Sequence, residues 1–87
     1  MLTQRLAEFV ANQPADAIPD EVYDAARDAV IDTLGVALAG SREPVADIAA
    51  AWVSEIGAQS SATVWGRALS SHVSEAAFAN GISAHAL

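Results

Sequence analysis

The side chains that could carry chemistry in this 87-residue chain are few and unevenly placed. Asp24, Asp28 and Asp32 follow one another at four-residue steps, with Arg27 beside them. On a helix that spacing makes one row of carboxylates, a pattern open to acid–base work or to a hard cation. A solvated helix face accounts better for Asp24 and Asp28. Asp32 borders an apolar stretch and is expected to be a buried acid bonded to a neighbouring helix end. The two histidines, His72 and His85, stand 13 positions apart, which fits no local metal-ligand pattern, so no metal site is expected. His72 is expected to be exposed near a helix start, and His85 to be a core histidine with a hydrogen-bonded ring. Ser83 follows Gly81-Ile82 but lacks the second glycine of a nucleophile elbow. Trp52 is expected in the core, Trp65 as a packing residue, and Arg42 and Arg67 as solvated loop residues. These groups do not assemble a catalytic constellation.

Composition removes several other classes. Eleven acids face four cations, all arginine, for a net charge of −7. Such a chain repels nucleic acid and anionic lipid alike. Without lysine there is no Schiff base and no P-loop, and without cysteine no thiolate or disulfide. The N-terminus lacks a secretory layout, and no apolar run approaches a membrane-spanning length. A soluble, cytoplasmic chain is expected.

Four helices must position these residues, giving an all-α fold with one short extended segment near 62–66. Leu2, Leu6, Phe9 and Val10 mark the first helix, with Thr3 as its N-cap. Pro19, Asp20 and Glu21 open the second. It turns wholly apolar over Thr33–Ala39, implying burial on every side, and Gly40 is the expected left-handed C-cap. Gly35 within it predicts close approach of a neighbouring backbone. Ser41 is the expected cap of the third helix, whose stripe of Val45, Ile48, Ala49, Trp52, Val53 and Ile56 runs to a stop at Gly57. Ser70-Ser71 is the expected cap of the fourth, where Phe78, Ile82 and Ala86 share one face and Ala77, Gly81 and Ala84 form a small-residue stripe suited to tight helix contact. The helical pattern continues through His85-Ala86-Leu87 without glycine, proline or a basic last turn. Together with 53% hydrophobic residues, much of it alanine, this predicts a piece of a larger helical domain, cut short before its chemistry.

In order along the chain, Leu6–Val10, Ile18–Val22, Asp32–Ser41, Ala62–Gly66 and Ala76–Leu87 resemble the start of the MmgE/PrpD family. The most specific blocks are Asp32-Thr33-Leu34-Gly35 and the run from Ala79-Asn80-Gly81 to His85-Ala86-Leu87. The family includes 2-methylcitrate dehydratase, cis-aconitate decarboxylase and related lyases and epimerases of small polycarboxylates. The resemblance implies that residues 1–87 open the large helical domain of an enzyme that also has a smaller lid domain, forms homodimers and uses no metal or other cofactor. It implies that Asn80 and His85 lie beside the substrate site. The aspartate-rich stretch that follows His-Ala-Leu in many members, and the later histidines and lysine, would lie outside the chain. Family dehydratases carry a basic–aromatic pair where this chain has His85-Ala86, so the resemblance leans toward the decarboxylase- or epimerase-like branch. No catalysis by the chain alone is expected. The partners implied are the rest of the domain or a second identical chain, with a polycarboxylate bound only by the complete enzyme. Two other readings stand beside it: a non-catalytic helical module that associates through the apolar half of the second helix, and one half of a split enzyme.

Overall fold

A computed structural model describes residues 1–57 and 61–87. The order is α1 (Leu2–Asn12), a single 3-10 turn (Ala15–Ala17), α2 (Asp20–Gly40), α3 (Pro44–Ile56), β1 (Ala62–Val64), β2 (Leu69–Ser71) and α4 (Val73–Ala84). The chain is mostly helical, as the periodicity predicts. The expected extended segment is the first strand of a small antiparallel hairpin, which pairs Ala62 with Ser71 and Val64 with Leu69. Gly66, at φ 79°, lies in the connecting turn, which the Arg67 N–H closes onto the Val64 carbonyl.

The core is small and built from small side chains. Ala49 and Val53 of α3, Val64 of β1, and Ala76 and Ala79 of α4 form it, with Ala62, Leu69 and Ile82 packed around them. Alternation along the hairpin turns Val64 and Ser71 inward and Thr63 and Ser70 outward. Ser71 Oγ is buried without a hydrogen-bond partner among the described residues. Alanines let α3 and α4 approach closely, and that closeness rotates both helices away from their expected orientation. On α3 the buried residues are Ala46, Ala49, Ala50 and Val53, while Ile48 is 71% exposed and Trp52 is 47% exposed. Trp52 is therefore not a core residue. Its ring meets Phe78 edge to face at 5.5 Å on the open side of the α3–α4 pair. On α4 the close-contact side is Ala76, Ala79, Asn80 and Ser83, not the expected Ala77–Gly81–Ala84 stripe.

The long helix α2 touches the rest of the molecule chiefly at its C-terminal end, where Ala37 and Gly40 are buried. Its apolar half is not buried on every side: Leu34 and Leu38 remain exposed. Close backbone approach occurs at Gly40 and not at Gly35. A Cβ on Gly40 would overlap the Ser83 carbonyl oxygen and lie 3.0 Å from its carbon, whereas a Cβ on Gly35 meets nothing within 4 Å. Gly40 is helical, and Ser41 caps α2 in right-handed geometry. The left-handed C-cap is found instead at Gly57, where α3 stops as expected.

No described helix has a side-chain N-cap bond: Met1, Pro19, Glu43 and His72 occupy those positions. Thr3 already lies inside α1. Ser41 turns back to donate to the Leu38 carbonyl at 2.6 Å, and Ser70 and Ser71 belong to β2. The last helix ends at Ala84, where the N–H groups of His85 and Ala86 return to Ile82 and Ser83. The expected run of helix through Leu87 is thus replaced by a closed turn. Helix α1 buries none of its residues.

Candidate functional site

Asn80 and His85 are brought together on the wall of one cleft of about 520 Å³ between α2, α4 and β1. Thr33, Thr63, Trp65 and Val73 also line it, with alanines and Gly81 filling the gaps. Each candidate has a local structural task. The buried Asn80 carboxamide accepts from the Trp65 N–H at 2.8 Å and donates to the Thr63 carbonyl at 3.1 Å. It behaves as a one-residue strand laid against β1, tying the hairpin to α4 and fixing Trp65 at the cleft. The Nδ1 of His85 stands 3.1 Å from the Gly81 carbonyl oxygen, one turn back. The hydrogen-bonded ring is as expected, but its setting is not: His85 is exposed, because α4 ends one residue before it.

The cleft's chemistry is thin. Among the described residues His85 is the one titratable side chain on its wall, and no carboxylate or arginine lines it. A proton-transfer reaction needs a group to take a proton and another to give it, in reach of the same substrate. This wall supplies one such group in an otherwise mostly apolar lining.

The other candidates lie elsewhere. Asp24, Asp28 and Asp32 are all exposed along α2, so Asp32 is not the buried acid expected. Asp24 pairs with Arg27 at 3.6 Å in full view of solvent, a contact of little energetic weight. Among the described residues no group of three or more His, Cys, Asp or Glu could hold a metal ion. His72 is exposed at the start of α4, as expected. Near it, the Ser74 hydroxyl donates to the Glu75 carboxylate at 2.8 Å. That bond, then one from the backbone N–H of Glu75, holds its carboxyl below the usual range, with His72 assisting. No described helix is long and apolar enough to cross a membrane.

Arg67 departs most from its expected role. It is not a solvated loop residue: its Nη2 donates to the Ser41 carbonyl and to Asp47 Oδ1, both at 2.6 Å. One guanidinium thereby joins the hairpin turn to the end of α2 and the start of α3. The second strand was also unforeseen. Leu69-Ser70-Ser71 is a weak strand signal alone, and only the glycine-containing turn at Gly66 marks it as the returning arm of a hairpin.

A family model described as the MmgE/PrpD N-terminal domain matches residues 4–87, almost the entire chain. Comparison with curated proteins and with solved structures gave no match.

Proposed function

This chain belongs to the MmgE/PrpD family, and from that premise we propose that it forms the opening section of the helical domain of a lyase or isomerase of small polycarboxylates, a scaffold that does not catalyse alone. The observation that carries the reading is the absence of cationic groups from the cleft wall among the described residues. A di- or tricarboxylate needs arginine, lysine or clustered N–H donors to replace its water shell. Arg67 is committed to Ser41 and Asp47. Arg5, Arg27 and Arg42 sit on α1, on α2 and in the link to α3, and none lines the cleft. Cations and a second proton-transfer group therefore come from further sequence of the same cytoplasmic enzyme. Asn80 shapes the site border as a positioning residue, and His85 faces the completed site. The His85-Ala86 pair favours the decarboxylase- or epimerase-like branch.

The test has two arms. The purified chain, incubated with cis-aconitate and with 2-methylcitrate, is expected to give no product above buffer. Co-expression in frame with the coding sequence that follows it is expected to give turnover of a small polycarboxylate. Turnover by the chain alone, or none in the fused form, overturns the reading. Activity restored by supplying that sequence as a separate polypeptide identifies the split-enzyme form of the same proposal.

A further inference from the structure

The hairpin turn is anchored at two points, and Trp65 stands between them. Val64–Arg67 form the turn, with Gly66 at the positive φ of 79° that the third residue of a type II turn requires. At one anchor the Asn80 carboxamide accepts from the Trp65 N–H at 2.8 Å and donates to the Thr63 carbonyl at 3.1 Å. At the other, beyond Gly66, Arg67 Nη2 has two hydrogens for two acceptors, the Ser41 carbonyl and Asp47 Oδ1, both at 2.6 Å. Gly66 is pressed onto the same helix end: a Cβ there would overlap Ser41 Oγ and lie 2.9 Å from the Ser41 Cβ. Trp65 itself is half-buried and lines two adjoining spaces. One is the cleft of about 520 Å³; the other, almost wholly apolar and about 380 Å³, lies against Ala29, Val30 and Leu34 of α2. Thr33 borders both, so Trp65 and Thr33 together form the boundary between them.

We propose that Arg67 is the positioning residue for Trp65, and that Trp65 is the wall whose placement sets the width of the cleft opposite Thr33. Asn80 alone holds the turn by one edge, about which it can still roll. A second anchor two residues on removes that rotation. Arg67 suits the task because its planar guanidinium fixes an angle as well as a distance, and its side chain is only 25% exposed, so water competes little for its bonds. Asp47 is 65% exposed, so its half of the clamp is the weaker one and is screened by salt. The bond to Ser41 is the firm half. A wall fixed before a ligand arrives needs no ordering when it binds, which is what a site border gains from such a clamp. The inference rests on the proposed function only in taking this cleft as the border of the completed site.

Trp52→Phe leaves Trp65 as the sole tryptophan. Acrylamide is neutral, so it reads the exposure of Trp65 without responding to the charge of the chain. In that background Arg67→Met is expected to raise the native-state quenching constant at least about twofold, with emission moved to the red and far-ultraviolet circular dichroism unchanged. Asp47→Asn, and the parent in rising sodium chloride, are expected to give smaller rises in the same direction. Arg67→Lys is expected to recover part of the shielding, since an ammonium reaches one acceptor but lacks the fork. A purely structural arginine would lower the unfolding midpoint and leave native-state quenching where it was; that result for Arg67→Met would overturn the proposal. Should Arg67→Met not fold, quenching indifferent to both Asp47→Asn and salt overturns it equally. In the form fused to the sequence that follows, Arg67→Met is expected to raise KM at least about fivefold with kcat changed less than about twofold, and an unchanged KM overturns the role of Trp65 at the site. Absence of turnover in that form defeats the lyase reading, and the quenching result still decides this one.

Discussion

Gly35 and Gly40 lie in the same helix, yet the same substitution is expected to move stability in opposite directions. Alanine lowers the conformational freedom of the unfolded chain and favours helix by about 0.5–1 kcal/mol. At Gly35 nothing opposes that gain, because a Cβ there meets no atom within 4 Å. At Gly40 the new methyl would overlap the Ser83 carbonyl oxygen and stand 3.0 Å from its carbon and 3.3 Å from the Ala86 Cβ. Ordinary carbon–carbon contact is about 3.5–4.0 Å. The main-chain carbonyl cannot rotate aside, so α4 must retreat from α2 by on the order of 1 Å, at an overpacking cost of about 1–3 kcal/mol. Neither glycine has positive φ, so backbone strain enters at neither position. Thermal melts followed by far-ultraviolet circular dichroism are expected to place Gly35→Ala about 2–8 °C above the parent and Gly40→Ala about 5–15 °C below it. Equal shifts, or a stabilised Gly40→Ala, would refute the claim that α2 and α4 meet backbone to backbone at this point.

Asn80→Leu removes both bonds to β1 and strands the Trp65 N–H and Thr63 carbonyl; a loss of about 2–4 kcal/mol is expected in urea melts, with Trp65 emission shifted to the red. Asn80→Asp keeps an acceptor for Trp65 but loses the donor to Thr63, so it is expected to be destabilised as well. Arg67→Met should cost about 1–3 kcal/mol, and Asp47→Asn less, because the Ser41 carbonyl still holds the guanidinium. Glu75 has a lowered pKa, so the stability it contributes is present above the unfolded-state pKa and lost as pH falls through the folded one. Ser74→Ala, which deletes the largest cause, is expected to return the carboxyl toward its ordinary range in an NMR titration.

Much of the helical architecture could be read from periodicity alone, because recurring apolar residues such as Leu2, Leu6 and Phe9 report a local property. Helix entrances could not. Thr3, Ser41 and Ser71 all have the composition of caps, but Ser41 donates backward to Leu38 and Ser71 belongs to a strand. The rotation of α3 was equally hidden. Its large residues suggested a core stripe, yet Ala46, Ala49 and Ala50 set how near α4 can come, so Ile48 and Trp52 turn outward. That choice depends on the partner helix and leaves no trace in one helix's own spacing. The candidate site followed the same division. Asn80 and His85 were identifiable only as part of a family block, and the pattern gave no sign that the carboxamide would be occupied by β1. Arg67 looked like any loop arginine because its partners lie 20 and 26 positions away.

The attachment of α2 has a mechanical consequence. A helix of 21 residues extends about 31 Å, and its buried residues, Ala37 and Gly40, both lie at one end. The Gly40–Ser83 contact is thus a fulcrum with nearly all of the lever on one side. A tilt of about ten degrees there carries Asp20 through roughly 5 Å, and α1 travels with it through a connector tied down by Tyr23. A single methyl at the pivot would in this way register at the far tip of the molecule.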